Sequence, residues 1–136
     1  MSKSLTDNLI NAIPYAKMLG IEAELVEQGL RLVLPFQKSN IGNPMLPALH
    51  GGAIGGLMEV CAMAELRRRA PELPFAKPIG INIDYLRRGK PVTTYARAVI
   101  FKEGSRVANV RVRAWQETSE EPIAALSGHF LLPKKS

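Results

Sequence analysis

A chain of 136 residues, 46% apolar and 22% charged, holds enough for one core and is neither disordered nor fibrous in composition. Its single cysteine, Cys61, excludes an internal disulfide, so the fold does not depend on an oxidising compartment. The net charge of +6 is unevenly placed: residues 1–66 carry −2, residues 67–113 carry +9 and residues 114–136 carry −1. Such a concentration points to a polyanionic partner, a phosphorylated cofactor or nucleic acid, or else to solvated strand faces.

In chain order, residues 5–13 (LTDNLINAI) read as a short helix capped at Thr6 or Asp7. Pro14 restricts its continuation, and YAKMLG adds one turn ending at Gly20. Ile21, Ala23 and Leu25 alternate with Glu22 and Glu24, which predicts a strand with one wet face. After the Gln28-Gly29 turn signal, Leu30, Leu32 and Leu34 alternate with Arg31 and Val33, predicting the second strand of a hairpin. Residues 35–49 (PFQKSNIGNPMLPAL) hold three prolines and form a long loop, a length often tied to function. Residues 50–70 read as a helix that is apolar all round its first three turns, and therefore buried. Pro71 and Pro74 end it. Four strands follow: Ile79–Tyr85, 92–102, 105–116 and 122–132, the later ones joined by short connections as an antiparallel meander. The fold class is α+β: an antiparallel sheet of about six strands wrapped around a central helix, in one domain spanning 1–136.

The informative segment is 40–65. His50-Gly51-Gly52 stands where the loop becomes the buried helix, and a helix N-terminus carries backbone N–H groups and about half a positive charge. Glycines there let a ligand approach the backbone, and two adjacent amides suit the oxyanion that develops when a carbonyl is attacked. Gly55 and Gly56 each cost about 1 kcal/mol inside a helix. With Gly51 and Gly52 they form two i, i+4 pairs on adjacent stripes, the pattern of close packing against a neighbour. Glu59 sits nine residues after His50, among Leu57, Met58, Val60 and Cys61. A carboxylate there is expensive to bury unless it is partnered. It is either a general base or nucleophile, or one half of a salt bridge to Arg31 or Arg97.

Other chemistries find no support in the residues. His50, His129 and Cys61 are too scattered for a metal site, so no metal is expected. No G-x-S-x-G occurs, Cys61 has no basic neighbour on its helix, and GGAIGG follows a loop and not a strand. Aromatic residues make up only 6%, without a stacking motif, so nucleic acid is not expected as a partner. No apolar run reaches the ~18–20 residues that span a bilayer. The start MSKSLTDNLINAIPYAK is too polar for a signal peptide, so the expected setting is the cytoplasm, away from membranes.

GNPMLPALHGGAIGGLMEVCAMAEL followed by INIDYLRRG resembles the hotdog-fold acyl-CoA thioesterases of the phenylacetate-pathway type, from about Ala16 to Leu132. The resemblance includes the HGG at the helix start, the acid nine positions on, the D-Y-L-R-x-G and the Gly104-Ser105-Arg106 hairpin. It implies a hotdog fold, a homodimer with sites at the subunit interface or a homotetramer, and hydrolysis of a thioester. Within it, Glu59 attacks or activates water, the Gly52 amide polarises the carbonyl, and His50 and Gly51 shape the turn. Asn43, with Asn40 as its substitute, orients water or the thioester. The family commonly has Asp where this chain has Glu59, and the loop from Asn43 to His50 looks longer. No separate cofactor is implied; coenzyme A is part of the substrate, and Arg87, Arg88, Lys90 and Arg106 are the candidates to meet its phosphates. The alternative is a non-catalytic acyl-thioester binder of the same fold. Candidate pocket residues are Tyr15, Met18, Met45, Leu46, Met58 and Phe75.

Overall fold

The computed structural model describes residues 8–27, 29–36 and 51–134. Residues 8–11 are helical, and helix α1 (Pro14–Leu19) follows with proline in its first turn, where the missing N–H costs nothing. Gly20 ends it in the left-handed region (φ 76°), bonding back to Ala16 and Lys17 as the sequence predicts. Strands β1 (Glu22–Val26) and β2 (Gly29–Leu34) pair as the expected hairpin. Helix α2 (Gly51–Arg69) is followed by β3 (Lys77–Tyr85), β4 (Thr94–Glu103), β5 (Val107–Trp115) and β6 (Ala124–Leu131).

The six strands form one antiparallel sheet in the order β1-β2-β4-β5-β6-β3. Period-2 alternation puts Leu30, Leu32 and Leu34 of β2, Val110 and Val112 of β5, and Leu126 and Phe130 of β6 on the inner face, all buried. This face wraps α2, whose Ile54, Leu57, Met58, Val60 and Cys61 are buried with it. Alanines at 96, 108, 114 and 124 are fully buried on the same sheet, and their small size lets the helix sit close. The central helix is thus enclosed, as an all-round apolar pattern requires. Gly29, with φ 125° at the hairpin, is a position where only glycine is unstrained.

One connection departs from the alternation pattern. β3 does not neighbour β4; it crosses to the far side and pairs with β6, which leaves it at the edge of the sheet. Ile79 and Tyr85 are consequently more than half exposed although their spacing marks an apolar face. Strand alternation fixes which side chains share a face but carries no information on which strand lies beside which. Among the described residues no helix is long and apolar enough to cross a membrane.

Candidate active site

The site is built on the first two turns of α2. Gly51 and Gly55 lie on one stripe of the helix, Gly52 and Gly56 on the next. A tyrosine occupies each stripe. Tyr85, at the end of β3, donates from Oη to the Gly51 carbonyl at 2.9 Å, and a Cβ on Gly55 would lie 3.2 Å from that hydroxyl. Tyr15, on α1, donates to the Gly52 carbonyl at 3.3 Å. A Cβ on Gly56 would stand 2.3 Å from Tyr15 Cε2, so glycine is required for the ring to lie there. The two i, i+4 glycine pairs are the packing signature expected, and their occupants are Tyr15 and Tyr85.

This arrangement predicts a background-dependent effect. Gly56→Ala gains about 1 kcal/mol of helix propensity. In a Tyr15→Ala background that gain is expected in full, read from denaturant unfolding. In the parent, expulsion of the Tyr15 ring offsets it. Equal gains in both backgrounds would show that Tyr15 does not rest on the helix.

Glu59 continues the same side of α2. At 100° per residue it shares a stripe with Gly52, Gly55, Gly56 and Met63. It is half-buried and makes no hydrogen bond or ion pair among the described residues. The salt-bridge alternative is therefore not realised. Arg31 is engaged by Glu24 and lies 5.0 Å from the centre of the Tyr95 ring, and Arg97 has no acidic partner among the described residues. The helix's other acid is in a different state. Glu65 is buried and accepts from Arg68 Nε at 3.0 Å, a hydrogen bond that raises the Arg68 pKa. Burial, reinforced by Glu65, pushes the Cys61 thiol well above its ordinary value, so it is an inert core group. Among the described residues no group of His, Cys, Asp and Glu is placed to hold a metal.

Of the remaining predicted residues, Asn40, Asn43 and His50 lie outside the described residues. The proposed cations do not form one patch within a protomer. Arg87 and Arg88 follow Tyr85 and so lie near the start of α2. Arg87 donates to the Pro122 carbonyl at 2.6 Å, while Arg88 is exposed without a partner among the described residues. Lys90 pairs with Glu117 at 3.4 Å. Arg106 sits at the β4–β5 turn and lines a cavity of about 590 Å³ with Arg67, Arg69 and Lys134, beyond the other end of α2. The helix of 19 residues separates the two groups by about 27 Å along its axis. Met58 is fully buried in the core, and Phe75 lies under Arg67, 4.5 Å from guanidinium to ring centre, so neither belongs to the glycine stripe.

Residues 46–123 match the family model described as Thioesterase superfamily. The medium/long-chain acyl-CoA thioesterase YigI of Escherichia coli K12 is 26% identical over 132 residues, covering 85% of this chain and 83% of the relative. A protein of known structure from Chromobacterium violaceum is 38% identical, with a TM-score of 0.79 over 98% of this chain and 93% of that one. A Bacillus halodurans protein, crystallised with CoA, shares the fold at 22% identity and a TM-score of 0.77, over 98% of this chain and 90% of that one.

Proposed function

Because the chain belongs to the thioesterase superfamily and is a thioester hydrolase of the hotdog fold, we propose that it cleaves acyl-CoA thioesters to the free acid and CoA, with Glu59 as general base or nucleophile. The observation that carries the residue assignment is the state of Glu59: a half-buried carboxylate on the glycine stripe, with no cation engaged to it among the described residues. The acyl-CoA thioesterase activity for which the YigI relative is named and the CoA held by the Bacillus protein support the substrate class.

As general base, Glu59 takes a proton from water while the water oxygen bonds to the thioester carbon. The charge moves to the carbonyl oxygen, where the backbone at Gly51–Gly52 and the positive end of the α2 dipole stabilise it. Collapse breaks the C–S bond and the CoA thiolate leaves, taking the proton back. As nucleophile, Glu59 bonds to the carbon itself, the C–S bond breaks and the CoA thiolate leaves; water then cleaves the resulting anhydride, freeing the acid and the Glu59 carboxylate, and its proton passes to the thiolate.

Gly52 and Glu59 are seven residues apart on one helix, about 10 Å along its axis. The resemblance implies sites at the subunit interface, and in this reading the amide and the carboxylate acting on one substrate come from two copies of the chain. The exposed apolar edge strand β3, with Ile79 57% exposed, is the natural place for the copies to join. In this reading His50 shapes the turn, Asn43 or Asn40 orients water or the thioester, and Arg87, Arg88 and Lys90 face the phosphates of CoA, while Arg106 stands apart from them at the other end of α2.

The direct test is a panel of acyl-CoA esters of increasing acyl length, with free thiol measured. Turnover of at least one ester is expected, and failure on all of them leaves the non-catalytic binder in its place. Arg88→Ala is expected to raise KM for the preferred ester by roughly two- to fivefold with kcat kept, as for an exposed charge contact. Its KM should also depend less on salt, because such attraction is screened over about 8–10 Å. An unchanged KM and salt slope would make Arg88 an ordinary surface residue.

A further inference from the structure

Part of the basic segment 67–113 lies away from the glycine stripe and from Arg87, Arg88 and Lys90. The outer face of the sheet, opposite the core, carries it. Strand register sets Glu24, Arg31, Arg97 and Arg113 directly side by side across β1, β2, β4 and β5. Glu24 engages Arg31. Arg97 and Arg113 are left facing each other, and neither makes a hydrogen bond or ion pair among the described residues. Like charges directly opposite on a sheet are destabilising, so this pair costs free energy unless an anion lies between them. Arg111, two residues from Arg113 on the same face, is held over the Phe101 ring at 3.9 Å from its centre.

Arg97, Arg111, Arg113 and Phe101 line one groove of about 410 Å³, together with Val99, Trp115 and Ser119. That volume falls within the roughly 300–1,000 Å³ of small-molecule sites. No acidic side chain lines the groove, although Glu120 and Glu121 belong to the neighbouring turn. Its apolar groups are open to solvent, with Phe101 59% and Val99 52% exposed. Three guanidinium groups beside an open aromatic ring suit a ligand with both phosphates and a planar base. A second copy of the chain does not suit the face. A two-fold contact centred on the groove would set Arg97, Arg111 and Arg113 against the same three residues.

We propose that this outer-face groove is a nucleotide-binding site, with Arg97 and Arg113 clasping the phosphates and the base extending the Arg111–Phe101 stack. The site is separate from the glycine stripe of α2, because the sheet lies between them. It does not depend on the thioesterase reading.

Trp115 is the only tryptophan in the chain and lines the groove, so its emission reports occupancy. The full-length protein is titrated with ADP, inorganic triphosphate, adenosine and a short single-stranded oligonucleotide at about 0.15 M ionic strength. ADP is expected to give a saturable change. The double variant Arg97→Gln/Arg113→Gln is expected to weaken ADP at least tenfold, with the ADP-free melting temperature equal to or above the parent's, since the repulsion is removed, and with thioester hydrolysis unchanged. The proposal is overturned if ADP gives no saturable change, or if the double variant binds it as the parent does. Triphosphate or adenosine binding as tightly as ADP overturns the nucleotide assignment, and tighter binding of the oligonucleotide replaces it with a nucleic-acid surface. A change of sedimentation coefficient in the nucleotide-free double variant would mark the face as a contact between copies, and also overturns it.

Discussion

Glu59→Gln is expected to lower kcat for thioester hydrolysis by about 10²–10⁴-fold, the usual contribution of a positioned general base. That corresponds to ~3–5 kcal/mol of barrier. Glutamine keeps the size and hydrogen-bonding capacity of the side chain and removes only the ability to accept a proton or form an acyl bond. The stability of the fold should survive, because Glu59 makes no ion pair among the described residues. KM should change little, since the loss falls on the transition state. Glu59→Asp is expected to keep partial activity, with the carboxylate drawn back by one methylene in a site shaped for the longer arm. Measured rates of thiol release, beside unfolding curves for each variant, decide the matter. Parent-like turnover in Glu59→Gln would make Glu59 a structural charge. Unfolding of that variant would return the residue to the fold. The contrast is Glu65, one and a half turns on, whose removal should reach stability through its pairing with Arg68 and leave the chemistry intact.

Much of the scaffold was legible because short-range physics sets it. The alternation at Ala108, Val110, Val112 and Ala114 specifies which face of β5 is buried whatever lies beside it. The all-round apolar pattern of α2 requires enclosure, and the glycine pairs require something to lie against the helix. What the glycines meet was not legible. Tyr15 and Tyr85 arrive from 36 residues before and 34 after Gly51, and contacts at that separation depend on topology. The same limit hid the crossover that carries β3 past β4 and β5 to β6. It also led Arg106 to be grouped with Arg87, Arg88 and Lys90, which the chain places at the opposite end of α2. Charge composition showed that residues 67–113 are basic, but only the strand register reveals that Arg97 and Arg113 share one row. The roles of Asn40, Asn43 and His50 rest on the resemblance alone, since these residues fall outside those described.

Two inactive variants are expected to restore each other. Gly52→Pro removes the backbone N–H assigned to the carbonyl oxygen, at a first-turn position where proline is compatible with the helix. Loss of one oxyanion donor typically costs 10²–10³-fold, and Glu59→Gln costs at least as much. If one carbonyl meets the Gly52 backbone of one copy and the Glu59 of the other, a heterodimer of the two variants contains one site with both groups intact and one with neither. Co-expressed with different affinity tags and purified through both, it should show about half the activity of a parent dimer. Each variant alone stays near its own floor. The effect does not depend on whether Glu59 acts as base or nucleophile, because either route needs the carboxylate and the amide on the same substrate. It depends on the amide and the carboxylate coming from two copies of the chain. A heterodimer no more active than its parts would mean that one copy supplies both groups, or that the Gly52 amide has no part in the reaction. A parent protein that sediments as a 14.9 kDa monomer while hydrolysing thioesters would remove the two-copy site altogether.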